Sequence, residues 1–255
     1  MNSEQFNIFL IIMSVIAVVV FMALFYITAG YGKFASKKWG LAINNKAGWI
    51  IMESPVFIAM TVLWGLSGRA LEPAILTMFI LFQIHYFQRS FIFPFLLKGK
   101  SVMPFSIILM GALFNLLNAF MQGGWLFYIA PENMYTTEWL KSPQFICGTV
   151  VFLTGMAINI HSDSVIRNLR KPQDTKHYLP KKGLYRYVTS ANYLGEIIEW
   201  GGFALLTFSW SGAVFFLWTM ANLVPRSAKI YDRYRKEFED EMEGKNLKRI
   251  FPFIY

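Results

Sequence analysis

Residues 187–225 read YVTSANYLGEIIEWGGFALLTFSWSGAVFFLWTMANLVP and contain only two charged side chains, Glu196 and Glu199. As one helix, these 39 residues would extend about 58 Å, whereas the hydrocarbon core of a bilayer is about 30 Å thick. The stretch must therefore fold back on itself, and we predict the turn at Ser209-Trp210-Ser211-Gly212. It predicts two membrane-spanning helices joined by a short connection.

Five further stretches are long and apolar enough to cross a membrane, which takes about 20 mostly apolar residues. They are 6–30; 47–68; 73–88, continuing to residue 94; 101–131, ending near Gly123-Gly124; and 142–162. The composition agrees, because 55% of the residues are hydrophobic and 15% are charged, against about 25% charged in soluble domains. We predict an all-α membrane protein with seven transmembrane helices, and one domain, 1–255.

The positive charges predict an orientation for these spans. With the N-terminus on the extracytosolic side, the cytosolic segments hold 22 of the 24 Lys and Arg residues, and only Arg69 and Lys141 lie outside. This distribution follows the positive-inside rule and places the C-terminus in the cytosol. The net charge of +9 then reflects topology, so we expect no nucleic-acid partner. The first apolar run is too long for a cleavable signal peptide.

The sequence lacks the motifs of several common types of functional site. The single Cys147 and three scattered histidines do not predict a disulfide framework or a metal site. No Gly-x-Gly-x-x-Gly motif follows a predicted strand, and no serine lies in a nucleophile elbow. Gly99-Lys100-Ser101 has the tail of a phosphate-binding loop, but Pro94 occupies the position of the first glycine.

Polar residues at membrane depth are the candidates for function. Glu53 lies in the second span, where a charged side chain costs about 2.5–3.5 kcal/mol and usually faces a cavity or a partner. A glutamate that reaches the lipid headgroups is the alternative. Tyr86 has the position of an aromatic belt residue. Arg89 is interpreted as a cation that reaches the interface, unless an anionic side chain lies near it.

The second half of the chain carries polar side chains at helical spacing. One stripe, at steps of four, four and three, is Asn159, Asp163, Arg167 and Arg170. A second, at steps of four and three, is Asn192, Glu196 and Glu199. After the last span come Arg226, Arg233, Tyr234 and Arg235. Together they predict a polar pocket rimmed by cations at the inner face, suited to an anionic, nucleotide-like ligand.

These residues stand in segments that are similar to a known family. The segments are GMAINIHSD at 155–163, IRNLRKP at 166–172, KGL at 182–184, YV at 187–188, ANYLGEIIEW at 191–200, RSAK at 226–229, Tyr234 and FPFIY at 251–255. Upstream, GYGK at 30–33, ESP at 53–55 and HYF at 85–87 match as well. From about residue 30 to its end, the chain resembles the steroid 5α-reductases.

The resemblance implies a seven-helix membrane reductase that uses NADPH to reduce the Δ4 double bond of a 3-oxo steroid. It implies that Glu53 and Tyr86 hydrogen-bond the C3 carbonyl of a steroid or other lipid enone. Hydride attack at C5 then forms an enolate, whose oxygen two donors in a dry pocket would stabilise.

The resemblance also implies a cofactor site that faces the cytosol. Its residues are Tyr31, Asn159, Asp163, Arg170, Tyr178, Asn192, Glu196, Arg226 and Tyr234. Residues of about 1–125 would form the substrate side and about 143–255 the cofactor side. The host membrane would be a bacterial inner membrane or the endoplasmic reticulum. The family has a histidine-rich stretch where this chain has Lys229-Ile230-Tyr231-Asp232, so one cofactor contact is missing or replaced by Tyr231.

Other functions are also compatible with the sequence. A related reductase could act on an enoyl-CoA, although the acidic CoA head would need a further basic patch, or on a polyprenol. A membrane methyltransferase would use a similar C-terminal region to bind S-adenosylmethionine. A seven-helix receptor or transporter is a different class, but a transporter concentrates its polar residues at the midplane, whereas these cluster toward the inner leaflet.

Overall fold

The computed structural model describes residues 2–27, 39–98, 101–169 and 178–255, and most of them are helical. The helices are α1 (Ser3–Tyr26), α2 (Asn45–Leu66), α3 (Pro73–Phe87), α4 (Phe93–Leu96), α5 (Phe105–Gly124), α6 (Pro143–Asn168), α7 (Ala191–Thr207), α8 (Trp210–Glu237) and α9 (Glu239–Met242). Short 3₁₀ turns cover Thr137–Lys141 and Gly183–Arg186, and π-helical turns cover Gln88–Ile92 and Trp125–Ile129.

Four of these helical segments are long and apolar enough to cross a membrane: Ser3–Tyr26, Asn45–Leu66, Phe105–Ile129 and Pro143–Asn168. The chain is therefore a helical membrane protein, as its sequence predicts. One departure is a two-stranded antiparallel ribbon, in which β1 (Ala42–Asn44) pairs with β2 (Val102–Pro104). These strands are three residues long and sit directly before α2 and α5, and so short a pairing leaves no period in the sequence.

The turn predicted at residues 209–212 exists, but it lies at Phe208 and Ser209, because Trp210, Ser211 and Gly212 already belong to α8. Helix α7 ends at Thr207, Phe208 adopts a left-handed conformation with φ of 44°, and α8 begins at Trp210. The Ser209 side chain accepts a hydrogen bond of 3.0 Å from the Gly212 backbone N–H, which caps the new helix. The chain thus reverses through two non-helical residues, Phe208 and Ser209.

Two helices extend through π-helical turns. Helix α3 continues without a break through Gln88–Ile92 into α4, which agrees with the predicted extension to residue 94. Helix α5 also continues, through Trp125–Ile129, so the predicted end near Gly123-Gly124 is too early. The reason is tertiary, because the Trp125 indole N–H donates to the Tyr135 hydroxyl at 2.7 Å and holds the chain in helical form beyond the glycines.

Helices α6 and α7 pack with their backbones in contact. A Cβ atom on Gly155 would lie 2.2 Å from the Glu199 nitrogen, and one on Gly195 would lie 2.4 Å from the Asn159 nitrogen. Glycine is therefore required at these positions, as in close helix pairs within membranes. The contact brings the polar stripe of α6 against the polar stripe of α7.

We expect Gly202→Ala to destabilise the protein, because its Cβ would lie 2.3 Å from the backbone nitrogen of Phe152, which cannot move aside. Overpacking of this kind costs about 1–3 kcal/mol. The neighbouring Gly201→Ala is the matched control, since its Cβ would meet only the ring edge of Phe216 at 3.3 Å. Thermal unfolding in detergent should show a lower midpoint for Gly202→Ala alone, and equal midpoints for the two variants would contradict the packing described.

Hydrogen bonds close the bundle near the α7–α8 turn. The Tyr135 hydroxyl donates to the Thr207 carbonyl at 2.6 Å, and burial raises the pKa of this hydroxyl, so it remains a donor. Arg69 donates to the Ala130 carbonyl at 2.8 Å. The segments after α2, after α5 and after α7 therefore meet at one end of the molecule.

Candidate functional site

Glu53 faces the protein interior from α2. The side-chain amide of Asn115, on α5, donates to Glu53 Oε2 at 3.1 Å and to the Met52 carbonyl at 2.7 Å. Glu53 is half-buried. The contact with Asn115 indicates that its carboxyl faces a partner inside the protein rather than the lipid headgroups.

Tyr86 is buried, with 3% of its surface exposed, so the interpretation as an aromatic belt residue is wrong. Its ring packs against Phe82 and Trp200, with centroids 4.8 and 5.7 Å apart. Its hydroxyl accepts a hydrogen bond of 2.8 Å from the Asn118 amide and interacts electrostatically with Glu53. The two sequence-predicted catalytic residues therefore lie in one electrostatic environment.

A buried histidine–glutamate contact lies beside Tyr86. His85 Nδ1 is 2.7 Å from Glu199 Oε1, and the two side chains are 5% and 0% exposed. The Trp200 ring lies against the imidazole, with the ring centroids 4.6 Å apart. The pair links α3 to α7 next to Tyr86, whose ring centroid is 4.9 Å from that of His85.

Arg89 lies at the centre of the polar residues. Its guanidinium donates to Asp163 Oδ2 at 3.2 Å and lies over the rings of Trp49 and Phe93, 4.8 and 4.6 Å from their centroids. The side chain is only 11% exposed and has an acidic partner, so the stated exception applies and Arg89 is not an interfacial cation. Four acidic side chains interact with it electrostatically: Glu196, Asp163, Glu53 and Glu199.

The predicted stripes of α6 and α7 join in a hydrogen-bonded network. The Asn192 amide donates to Asp163 Oδ1 at 3.0 Å, and the Asn159 amide donates to the Asn192 carbonyl at 2.9 Å. The Tyr185 hydroxyl donates to Asn192 Oδ1 at 3.3 Å, and burial raises the pKa of Tyr185. Asn159, Asp163 and Asn192 are thus brought together, as their spacing predicts.

The other predicted cofactor residues are more dispersed. Arg226 Nε donates to the hydroxyl of Tyr193, the neighbour of Asn192, at 2.8 Å. Tyr234 is buried among Leu179, Met242 and Leu247, so its ring packs in a core. Tyr178 is 40% exposed. Tyr31 and Arg170 lie outside the described residues.

Tyr231 lies in the segment 229–232, where the resemblance implies that a cofactor contact is missing or replaced. The Arg249 guanidinium lies over its ring at 5.3 Å and over the Tyr255 ring at 4.7 Å. In this chain, the segment after Arg226 therefore anchors the C-terminal residues.

Sequence reasoning missed several residues of the site: His85, Asn115, Asn118 and Tyr185. A signal existed for two of them, because Asn115 and Asn118 are three residues apart in an otherwise apolar span, the same feature that marks the α7 stripe. No local signal pairs His85 with Glu199, since they are 114 positions apart.

The donor set suits a nucleotide cofactor chemically. Carboxylates such as Asp163 and Glu196 accept hydrogen bonds from ribose hydroxyls, and the amides of Asn159 and Asn192 supply both donors and acceptors. Arg226 carries the charged fork that binds phosphate oxygens. Buried phenol, carboxyl and imidazole groups beside these residues suit polarisation of a neutral carbonyl.

Comparison with known proteins identifies related sequences. A family model described as 3-oxo-5-alpha-steroid 4-dehydrogenase matches residues 101–255. The 3-oxo-5-alpha-steroid 4-dehydrogenase 1 of Bos taurus is 34% identical over 246 residues, which cover 94% of this chain and 93% of the relative. Steroid 5-alpha-reductase DET2 of Arabidopsis thaliana is 36% identical over 236 residues, covering 90% and 89%. The Homo sapiens 3-oxo-5-alpha-steroid 4-dehydrogenase 1 is 36% identical over 230 residues, covering 88% and 86%.

Proposed function

Because this chain belongs to the 3-oxo-5-alpha-steroid 4-dehydrogenase family, we propose that it reduces the Δ4 double bond of a 3-oxo-Δ4-steroid with NADPH. The observation that supports the proposal is that Glu53 and Tyr86 are both held by side chains from the same face of α5. Asn115 and Asn118 hold the two side chains from one face of α5. This arrangement suits a compact enone whose carbonyl takes two hydrogen bonds.

Glu53 and Tyr86 act in this proposal as donors to the C3 oxygen. When C5 gains a hydride, negative charge moves through the enone to that oxygen, and preorganised donors stabilise the charge as it develops. Phe82 and Trp200, which pack on the Tyr86 ring, exclude water and so strengthen these hydrogen bonds. Addition of a proton at C4 then converts the enolate to the 5α-reduced 3-oxo steroid.

NADPH supplies the hydride when it is bound. In the proposed site, Asn159, Asp163 and Asn192 of the α6–α7 network would hold ribose hydroxyls and the carboxamide, together with Glu196 on α7. Arg226 would hold phosphate. Arg89 keeps the carboxylates oriented, since it is paired with Asp163 and interacts with Glu196. The family resemblance adds Tyr31, Arg170, Tyr178 and Tyr234 to the proposed site.

The most direct test is an assay of the purified protein with progesterone as substrate. With NADPH, the proposal expects 5α-dihydroprogesterone by chromatography and mass spectrometry. Parallel reactions contain S-adenosylmethionine, or NADPH with an enoyl-CoA, to test the alternative activities. Methyl transfer, or reduction of the enoyl-CoA and not of progesterone, would contradict the proposed substrate class.

We propose seven spans, with the N-terminus extracytosolic and both the C-terminus and the cofactor site on the cytosolic side. Loop contacts support this arrangement. The segments after α2, α5 and α7, all predicted outside, share the hydrogen bonds of Arg69 and Tyr135. Segments predicted inside also meet, because β1 pairs with β2 and the Thr189 N–H donates to the Lys248 carbonyl at 2.9 Å.

Single cysteines should report this topology. Cys147 is the only cysteine, so Cys147→Ser gives a background in which Lys141→Cys and Lys182→Cys are compared. Both lysines are exposed, and they lie on opposite predicted sides. A membrane-impermeant maleimide added to intact cells should label Lys141→Cys and leave Lys182→Cys unlabelled until the membrane is permeabilised, and the reverse pattern would contradict the orientation.

A further inference from the structure

Two asparagines on α5 contact the proposed catalytic pair. Asn115 donates to Glu53 at 3.1 Å, and Asn118 donates to the Tyr86 hydroxyl at 2.8 Å. Three residues apart on a helix, they share one face. We propose that Asn115 and Asn118 are positioning residues that set the direction in which Glu53 and Tyr86 present their protons; this inference rests on the proposed function.

The direction of the Tyr86 hydrogen bond carries the first part of the inference. A phenol oxygen that accepts from an amide N–H keeps its own O–H for a different partner. Asn118 is fully buried, and its Oδ1 has no hydrogen-bond partner among the described residues. The amide presents Nδ2, its donor, to the Tyr86 oxygen at 2.8 Å, so the phenol oxygen accepts there and its own proton points away from Asn118.

The same logic applies to Glu53. A neutral carboxyl has one oxygen that accepts and one that carries the proton. The Asn115 amide donates to Oε2, which makes Oε2 the acceptor and leaves the proton for Oε1. The amide also donates to the Met52 carbonyl at 2.7 Å, and this second contact anchors it to the backbone of α2.

Both donors are thus oriented by neutral amides from one helix face. A neutral amide directs the protons without adding a charge that would compete with the developing negative charge of the substrate. Neither asparagine needs to touch the steroid for this role.

The decisive variant is Asn118→Asp, which keeps the size of the side chain and replaces the donor with an acceptor. The carboxylate would capture the Tyr86 proton, so we expect kcat for steroid reduction to fall by about 10-fold or more, since charge-assisted hydrogen bonds are the stronger ones, with the KM for NADPH unchanged. At lower pH, the protonated aspartic acid can donate again. The ratio of variant to wild-type kcat should then recover, whereas a purely structural defect would not follow pH in this way.

This ratio cancels titrations that the two proteins share. Five charged or titratable groups interact with Tyr86 or lie beside it. Glu53 is on α2, His85 is on α3, and Arg89 is on the π-helical extension of α3. Glu196 and Glu199 are on α7. All of them are present in both wild type and variant.

Gln122→Leu is the matched control. Gln122 lies one turn further along α5, is buried, and donates to the Ser211 carbonyl at 3.0 Å. The variant removes a buried amide from the same helix, and this amide has no hydrogen bond to Glu53 or Tyr86. We expect a lower thermal midpoint and a kcat near that of wild type.

Double variants make the inference independent of Asn118→Asp. Because Asn118 acts through the Tyr86 hydroxyl, Asn118→Leu should lower kcat in the wild type and have little further effect in Tyr86→Phe. Asn115→Leu should likewise have little further effect in Glu53→Ala. Additive losses in both cycles would overturn the inference.

The outcomes separate the inference from the proposed function. If Tyr86→Phe is severely impaired but both Asn118 variants behave like Gln122→Leu, the positioning role is wrong and the catalytic pair stands. If Tyr86→Phe and Glu53→Ala reduce steroid normally, the proposed function of the pair is wrong, and the positioning role is wrong with it.

Discussion

Glu53→Ala and Tyr86→Phe are each expected to lower kcat for steroid reduction by about 10²- to 10³-fold, with NADPH binding unchanged. Loss of one oxyanion-type donor typically costs about 2.7–4 kcal/mol of transition-state stabilisation. Tyr86→Phe keeps the ring that packs on Phe82 and Trp200, so its effect reports the hydroxyl alone. Steady-state kinetics with saturating NADPH would measure both variants.

Glu53→Gln separates two roles of the carboxyl. An amide still donates a hydrogen bond but has no ionisable proton, so substantial activity in Glu53→Gln would indicate a neutral donor. Equal loss in Glu53→Gln and Glu53→Ala would indicate proton transfer. Tyr128→Phe is the control for a lost phenol, because Tyr128 is exposed and donates to the Leu63 carbonyl. Near-normal turnover of the double variant Glu53→Ala/Tyr86→Phe would contradict the proposed catalytic pair.

Arg226→Ala should raise the KM for NADPH by about 10- to 100-fold and change the KM for steroid much less. A hydrogen bond to a charged group contributes about 1.5–3 kcal/mol, and a guanidinium presents five N–H donors, so it can hold the Tyr193 hydroxyl and a phosphate together. We expect the same direction for Arg170→Ala.

Lys236→Ala is the matched control for Arg226→Ala. Lys236 lies on the same helix α8 and is exposed near its C-terminal end, so its removal changes the charge equally without removing a predicted site residue. A wild-type KM for NADPH in both Arg226→Ala and Arg170→Ala would contradict the cofactor assignment.

Local pattern predicts much of this fold because a membrane demands long apolar helices. The existence of the α7–α8 turn follows from length, since 39 residues with only two charged side chains are too many for one span. Its exact place at residues 208–209 does not follow from length, and it shares only Ser209 with the predicted turn. The ribbon of β1 and β2 could not be predicted, because each strand is three residues long and forms only when the segments before α2 and α5 meet. The π-helical turn at Gln88–Ile92 likewise depends on packing rather than on propensity.

Some residues of the candidate site can likewise be predicted from local sequence, whereas others depend on tertiary contacts. Asn192 and Glu196 are predictable because helical spacing places them on one stripe, and their family segment is distinctive. The role of Arg89 is not predictable locally, since its partner Asp163 lies 74 positions away. A cation near the end of a span looks interfacial until tertiary packing brings an acidic side chain against it.

We propose that this protein transfers a hydride from NADPH to C5 of a 3-oxo-Δ4-steroid. NADPH that carries deuterium in place of both hydrogens at the 4-position of the nicotinamide tests this transfer, whichever of the two hydrogens is used. With the purified protein and progesterone, nuclear magnetic resonance of the product should show one deuterium at C5 in the α configuration and none at C4. Deuterium at C4, or no deuterium in the reduced steroid, would contradict the claim.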